Sequence, residues 1–139
     1  MAKIPASESE LTTVFIDESS QTAHRYLALG ALALNNIVVR KLEARLREAR
    51  LPELPAGEMG WTKVSNAKLE AYKRFVDVFF DSGTAAHPLE FHSLVVDTHN
   101  LKDALYNGGS RAVGFNKELY QLCMKVARRL YPDRMFHIY

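Results

Sequence analysis

"VFIDESSQ", Val14 to Gln21, is the stretch on which the reading of this chain turns. Val14, Phe15 and Ile16 favour a strand, and they run straight into Asp17 and Glu18 and then into small hydroxyl residues. One reading is a strand that surfaces into a solvated turn, since Asp and Ser are good turn formers. The other is a strand end that carries a carboxylate out to a metal ion. Strand alternation separates the two acids: Asp17 shares a face with Thr13 and Phe15, and Glu18 with Val14 and Ile16. A magnesium or manganese site needs oxygen ligands that converge from several segments, so a second carboxylate must come from elsewhere. Glu58, in a Gly-containing segment beside Trp61, is one candidate. Asp97, at the end of a third strand, is another. Taken singly, each is equally well a surface acid.

Working outward, the 139 residues suffice for one domain with a real core. A hydrophobic share of 47% and a charged share of 24% fit an ordinary globular composition. The net charge of +2 permits a nucleic-acid partner without arguing for one. A single cysteine, Cys123, excludes an internal disulfide and a Cys-based zinc site. The opening "MAKIPASESELTT" lacks the apolar core of a signal peptide, and no apolar run is long enough to span a membrane. A cytoplasmic location is the default expectation.

Residues 1–11 read as a loose lead-in, and Thr12 to Ser19 as the first strand. "RYLALGALAL", Arg25 to Leu34, is nearly all apolar; its position suggests a second strand, but Leu and Ala also suit a helix. "SSQTAHR" would connect the two as a hairpin. Val38, Leu42, Leu46 and Ala49 recur at helical spacing, which predicts a helix from Ile37 to Arg50 ended by the prolines of "LPELPAG". Its basic residues Arg40, Lys41, Arg45, Arg47 and Arg50 spread around the exposed arc, as on a solvated face. "GEMGWTKVS", Gly57 to Ser65, is neither clearly strand nor helix. Ser65 or Asn66 caps a second helix, with Leu69, Tyr72, Val76 and Phe79 on one side and an end near Asp81 to Gly83.

Pro88 to Asp97 reads as a third strand, with Phe91, Ser93, Val95 and Asp97 on one face and Glu90, His92, Leu94 and Val96 on the other. "YNGGSRAVG" reads as a flexible loop. A last helix spans Phe115 to Leu130 and turns its Phe115, Leu119, Leu122, Val126 and Leu130 side to the core. After Pro132-Asp133, "RMFHIY" forms a short terminal strand. The order strand, strand, helix, helix, strand, helix, strand predicts a mixed sheet with helices packed on it, its final strand–helix–strand unit joining parallel strands.

The remaining chemistry is sparse. The five histidines show no paired metal-ligand spacing, "YNGGS" lacks the Lys-Ser/Thr of a P-loop, and no nucleophile elbow is present. Cys123 falls on the buried side of its helix and packs as a small apolar group. Trp61 with Lys63 could form a stacking and phosphate-binding pair, although a lone Trp near a helix start is more often a core anchor.

"VFIDESS", the apolar "YLALGALAL" that follows, and "GEMGWTKVS" before an aromatic helix together resemble the DUF3800 family. The resemblance runs from about Thr12 to Tyr139. It implies an α/β, RNase H-like mixed sheet flanked by helices: a single domain over 12–139 that stops, incomplete, where the family goes on to a further acid. It also implies a metal-dependent nuclease-like activity on nucleic-acid phosphodiester bonds with Mg2+ or Mn2+. Asp17 matches the family's leading acid, Glu18 its companion and Glu58 the acid of the second motif. On the nuclease expectation Glu18 or Asp97 would be a subsidiary metal ligand, and Lys63 with Trp61 would meet the nucleic acid. Ser20 stands where the family has Gly, and Gly60 where the second motif often has Lys. The competing expectation is a catalytically inactive or partial domain that serves as an interaction or scaffold module, a homo-oligomer or partner chain completing its sheet along the terminal strand.

Overall fold

The computed structural model describes residues 11–19, 24–130 and 135–139. The ambiguous apolar run is a strand. β2 (Tyr26–Asn35) lies between β1 (Leu11–Ser19) and β3 (Leu89–Asp97), antiparallel to both, so its backbone is bonded along both edges. Two flanking ladders decide for strand what Leu-Ala periodicity left open. β4 (Met135–Ile138) pairs parallel with β1, giving one mixed sheet of order β3-β2-β1-β4. Leu11, given to the lead-in by the sequence, is buried within β1; the rest of the expected lead-in lies outside the described residues. Most of the expected hairpin connection and the Pro132-Asp133 turn also lie outside them.

Four helices accompany the sheet: α1 (Asn36–Ala49), α2 (Leu69–Ser82), α3 (Asp103–Tyr106) and α4 (Arg111–Leu130). The core lies between α4 and one sheet face, where Leu122 and Val126 meet Val14, Leu27, Leu29, Ala31 and Ala33. Leu94 and Val96 of β3 and Phe115 of α4 pack at its margin, as alternation and helical spacing predict. Cys123, one residue from Leu122, is half-buried, not buried as its position suggested; partial burial raises the pKa of its thiol.

The helix expected to start at Phe115 starts four residues earlier. Ser110 Oγ accepts from the Val113 amide at 3.3 Å, and the peptide groups of the preceding turn close on the Asp103 carbonyl: Asn107 N–H at 2.8 Å and Gly109 N–H at 2.9 Å. "NGG" does form a turn, with positive φ at Gly108 and Gly109, but "RAVG" belongs to the helix.

On the opposite sheet face, α1 packs against β1 and β2 near their Leu11 and Asn35 ends, where Leu11, Thr13 and Leu34 are buried. Asn35 caps α1, its side chain accepting from the Ile37 amide at 3.0 Å. α2 lies alongside α1. Its line of approach follows Ala71, Arg74, Val78 and Ser82, not the predicted Leu69, Tyr72, Val76 and Phe79. Ala71 is fully buried, the Arg74 guanidinium donates to the Ala49 carbonyl at 3.0 Å, and Arg45 donates to Ser82 Oγ at 2.7 Å. Arg74 thus takes up a carbonyl that the end of α1 leaves without an intrahelical partner. A small residue at 71 allows this close approach and leaves Leu69, Val76 and Phe80 exposed.

Candidate functional site: an acidic groove on the open sheet face

α1 and α2 cover only one end of their sheet face. Beyond Leu34 no described helix covers that face. Reading across by register, Phe15, Leu32 and Phe91 form one row, Asp17, Gly30 and Ser93 the next, and Ser19, Ala28 and Val95 the third. The first two rows, with Ser19 and Ala28 of the third, line a groove of about 410 Å³. Phe91, 62% exposed, leans over Gly30: a Cβ at Gly30 would lie 3.3 Å from two of its ring carbons. The missing side chain at Gly30 gives the Phe91 ring its seat in the Asp17 row.

Asp17 therefore stands where strand alternation put it, on the face of Thr13 and Phe15, and at the exposed end of an inner strand. Its carboxylate makes no hydrogen bond or ion pair among the described residues. The parallel strand β4 runs out beside it: the Tyr139 N–H donates to Val14 O and the Ile16 N–H to Tyr139 O, both at 2.9 Å, and the Tyr139 ring stacks on Phe15 at 5.6 Å. Glu18 is exposed and, by alternation, belongs to the α4 side of the sheet.

The other predicted acids have different surroundings. Asp97 ends β3 and is held by four donors. Arg25 Nη2 reaches its Oδ2 at 2.8 Å, Arg25 Nε lies 3.2 Å from both oxygens, the His99 amide donates to Oδ1 at 3.2 Å, and Asn100 Nδ2 to Oδ2 at 2.9 Å. The Arg25 hydrogen bond, with help from the His99 amide and against partial burial, holds this carboxyl below the usual carboxylate range. Along the register, Asp97 stands two strands across and four residues on from Asp17. At sheet spacings that is about 16 Å between backbones, too far to share one cation.

Glu58 lies in the connection between α1 and α2, its side chain 86% exposed, 3.5 Å from Lys63 Nζ, and it is not among the residues that line the groove. Trp61, expected as a core anchor or a stacking residue, is 90% exposed. Its short 3₁₀ turn (Trp61–Lys63) is pinned from behind by Tyr72, whose hydroxyl donates to Gly60 O at 3.0 Å and accepts from Gly60 N–H at 3.3 Å. Among the described residues, no three His, Cys, Asp or Glu side chains come together as a metal-holding group.

The groove can be tested against the cation that the resemblance implies. Magnesium commonly binds through one or two carboxylates while keeping several waters, and an unengaged Asp17 lining this groove suits one such hydrated ion. Two-cation chemistry, with metals about 4 Å apart, needs more carboxylates than these rows bring to the groove. Sequence reasoning found Asp17 but missed Gly30, Phe91 and Ser93, which shape the space before it. Period two in β3 had put Phe91 and Ser93 on one face, and only the strand register joins them to Asp17.

No protein-family model, curated protein or solved structure matches this chain. No helix among the described residues is long and apolar enough to cross a membrane.

Proposed function

We propose that this chain is a metal-dependent, nuclease-like domain of RNase H-like fold that acts on nucleic-acid phosphodiester bonds, with Asp17 as its principal metal ligand. The observation that carries the reading is the unengaged Asp17 carboxylate at the exposed end of an inner strand, lining a groove with Gly30, Phe91 and Ser93. The mixed sheet, with β4 entering parallel to β1 beside that carboxylate, supports it too. A bound Mg2+ or Mn2+ would supply an activated water and neutralise charge on a phosphate oxygen. Asp17 would hold the ion, Ser93 would offer a hydroxyl across the groove, and Phe15 and Phe91 would give a strand of nucleic acid apolar faces on which bases stack. Glu58, Lys63 and Trp61 form an exposed cluster that would meet the substrate outside the groove.

The test is manganese-dependent cleavage of labelled single- and double-stranded DNA and RNA by the wild-type chain and by Asp17→Asn. The substitution keeps the shape and removes the charge, so cleavage should fall by two orders of magnitude or more while the melting temperature stays within a degree or two. Equal cleavage by both proteins would remove Asp17 from the chemistry and the reading with it.

A second reading has its own support. Asp97 is committed to Arg25, and the open face around Asp17 is rich in exposed apolar groups: Phe91, Val95, Tyr139 and, on α2, Phe80. A domain that keeps the fold and uses this face, or the β4 edge, to hold a partner would be catalytically silent toward every substrate above.

A further inference from the structure

α1 carries its basic residues around an exposed arc, and as a sequence they form no patch. In the fold two of them converge with residues from far along the chain. Lys41 and Arg45 line a pocket of about 230 Å³ together with Ser82, Thr84 and His87. Leu42 and Leu89 supply apolar wall. Arg45 is oriented by its 2.7 Å hydrogen bond to Ser82 Oγ, and Ser82 in turn donates to the Val78 carbonyl at 2.5 Å. That leaves the remaining guanidinium donors of Arg45 for something else. The Lys41 ammonium has no ion-pair or hydrogen-bond partner among the described residues. Nδ1 of His87 is buried and likewise without a partner. Of these only His87 Nδ1 is a buried atom without a partner, which is costly; with its proton on Nδ1, His87 joins the spare Arg45 donors and the exposed Lys41 ammonium around one small cavity, a place suited to an acceptor.

We infer that this pocket binds a phosphate group through Lys41, Arg45 and His87. Lysine contributes a point charge, arginine a directed fork of donors, and histidine a single N–H or, when protonated, a further charge. Asp81 lines the same pocket and sits at the C-terminal end of α2, so its carboxylate opposes an anion there. Two fixed cations against one carboxylate leave the balance positive. Because Asp81 has no partner among the described residues, neither cation is consumed by it.

The pocket and the Asp17 groove are linked through shared wall residues. Leu89 is shared with an apolar channel formed by Phe75, Val76, Phe79 and Phe80 of α2, and Phe91 is shared between that channel and the acidic groove. Leu89 stands two strands and four residues from Asp17, about 16 Å away along the sheet. On the nuclease reading, on which this step rests, the pocket anchors one backbone phosphate while a neighbouring stretch of the strand crosses the phenylalanines to reach Asp17. A free phosphate or phosphomonoester presents the same chemistry to the pocket.

Calorimetric titration of the full chain separates these cases. Inorganic phosphate is titrated into wild type, Lys41→Met, Lys41→Glu and Asp81→Asn, at constant ionic strength. A single-stranded oligonucleotide without terminal phosphates is titrated into the same proteins. Lys41 is exposed, so its variants should melt with the wild type. Phosphate affinity should fall about tenfold or more in Lys41→Met, further in Lys41→Glu, and rise in Asp81→Asn, the scale being one lost charge-assisted hydrogen bond. An oligonucleotide that loses affinity in step, and is displaced by phosphate, assigns the pocket to a nucleic-acid strand. If phosphate responds to Lys41 and the oligonucleotide does not, the anion site stands for a free phosphate or monoester and its link to the groove falls. Phosphate affinity indifferent to all three substitutions overturns the site. Cleavage by the wild type, lost in Asp17→Asn, is scored separately, so failure of the nuclease reading leaves the phosphate result intact and the reverse also holds.

Discussion

Gly114, one turn into α4, is the position where a single methyl group should do most damage for its size. A Cβ built there would lie 2.5 Å from Asp103 Oδ1, 2.7 Å from Arg111 Nη1 and 2.8 Å from Asn107 Nδ2. Those atoms belong to one half-buried polar cluster: Asn107 Nδ2 donates to Asp103 Oδ1, Arg111 Nη1 lies 3.4 and 3.3 Å from the two Asp103 oxygens, and Arg111 Nη2 donates to Glu118. Two effects oppose each other in Gly114→Ala. Alanine in a helix is favoured over glycine by about 1 kcal/mol. Against that, overpacking costs about 1–3 kcal/mol, and the Asp103 carboxylate must give up a hydrogen bond to a charged group worth about 1.5–3 kcal/mol. Sterics should win, leaving a net loss of about 2 kcal/mol.

With an unfolding entropy of about 2.1 cal/mol/K per residue, a chain of 139 residues changes its melting temperature by about 3–4 °C for each kcal/mol. Gly114→Ala should therefore melt about 7 °C below wild type by calorimetry or far-ultraviolet circular dichroism. The decisive control is the same substitution in an Asp103→Ala background. There the nearest obstructing atom is gone and Arg111, a flexible side chain, can swing aside. The alanine should then be neutral or stabilising by up to about 1 kcal/mol, a reversal of sign between backgrounds. If Gly114→Ala raises the melting temperature in the wild-type background, helix propensity dominates and the close approach of α3 to α4 is not what holds Gly114 in place.

Two further outcomes follow from other parts of the molecule. Asp97 has a depressed pKa in the folded chain, so its contribution is fully present above the ordinary carboxylate range and is lost as pH falls through the lower folded value. The melting-temperature advantage of wild type over Asp97→Asn should be largest near neutral pH and should close below about pH 4, whereas a gap independent of pH would deny the Arg25 pairing any energetic role. Tyr72→Phe removes the hydroxyl that meets both backbone groups of Gly60. It should cost about 1 kcal/mol, speed amide exchange at Gly60 and lower the fluorescence anisotropy of Trp61, the chain's single tryptophan; unchanged anisotropy would mean that the turn holds itself.

How far the sequence carried the fold depends on how local each determinant is. The alternation of β3 and the helical spacing of α4 are properties of a few consecutive residues, and the structure bears out the first at Leu94 and Val96 and the second at Phe115, Leu122 and Val126, the Leu130 side chain lying outside what is described. "RYLALGALAL" resisted because its outcome is set by β1 and β3, the neighbours on either side, and not by its own pattern. The face of α2 was misassigned for a related reason. Four large apolar residues at helical spacing point to a buried stripe, yet the helix turns Ala71 to its partner, because a close crossing selects the smallest side chain. "RAVG" was given to the loop because the signal that starts α4 there lies in side chains that close on one another, Ser110 onto Val113 and Asn107 onto Asp103, and not in propensity.

The site divides along the same line, and more sharply. Asp17 could be singled out because a strand ending in an acid is visible in eight residues, whereas everything that makes the acid usable lies elsewhere. Gly30 seats the Phe91 ring, and Phe91 and Ser93 line the groove with Asp17, each from a strand other than its own and each an ordinary residue in its segment. The cationic pocket is the extreme case. Lys41 and Arg45 are two of several bases on a solvated helix, and His87 is one of five unpatterned histidines more than forty residues on. Their convergence depends on α2 returning along α1 and delivering Ser82 to Arg45, after which the chain must re-enter the sheet at Leu89 with His87 beside it. Breaking that return should therefore dissolve the anion site without touching any of its charges. Ser82→Ala removes the hydroxyl that orients Arg45, so phosphate affinity should fall several-fold although Lys41, Arg45 and His87 all remain. Full affinity in Ser82→Ala would show that the charges alone suffice and that the orientation of Arg45 is incidental.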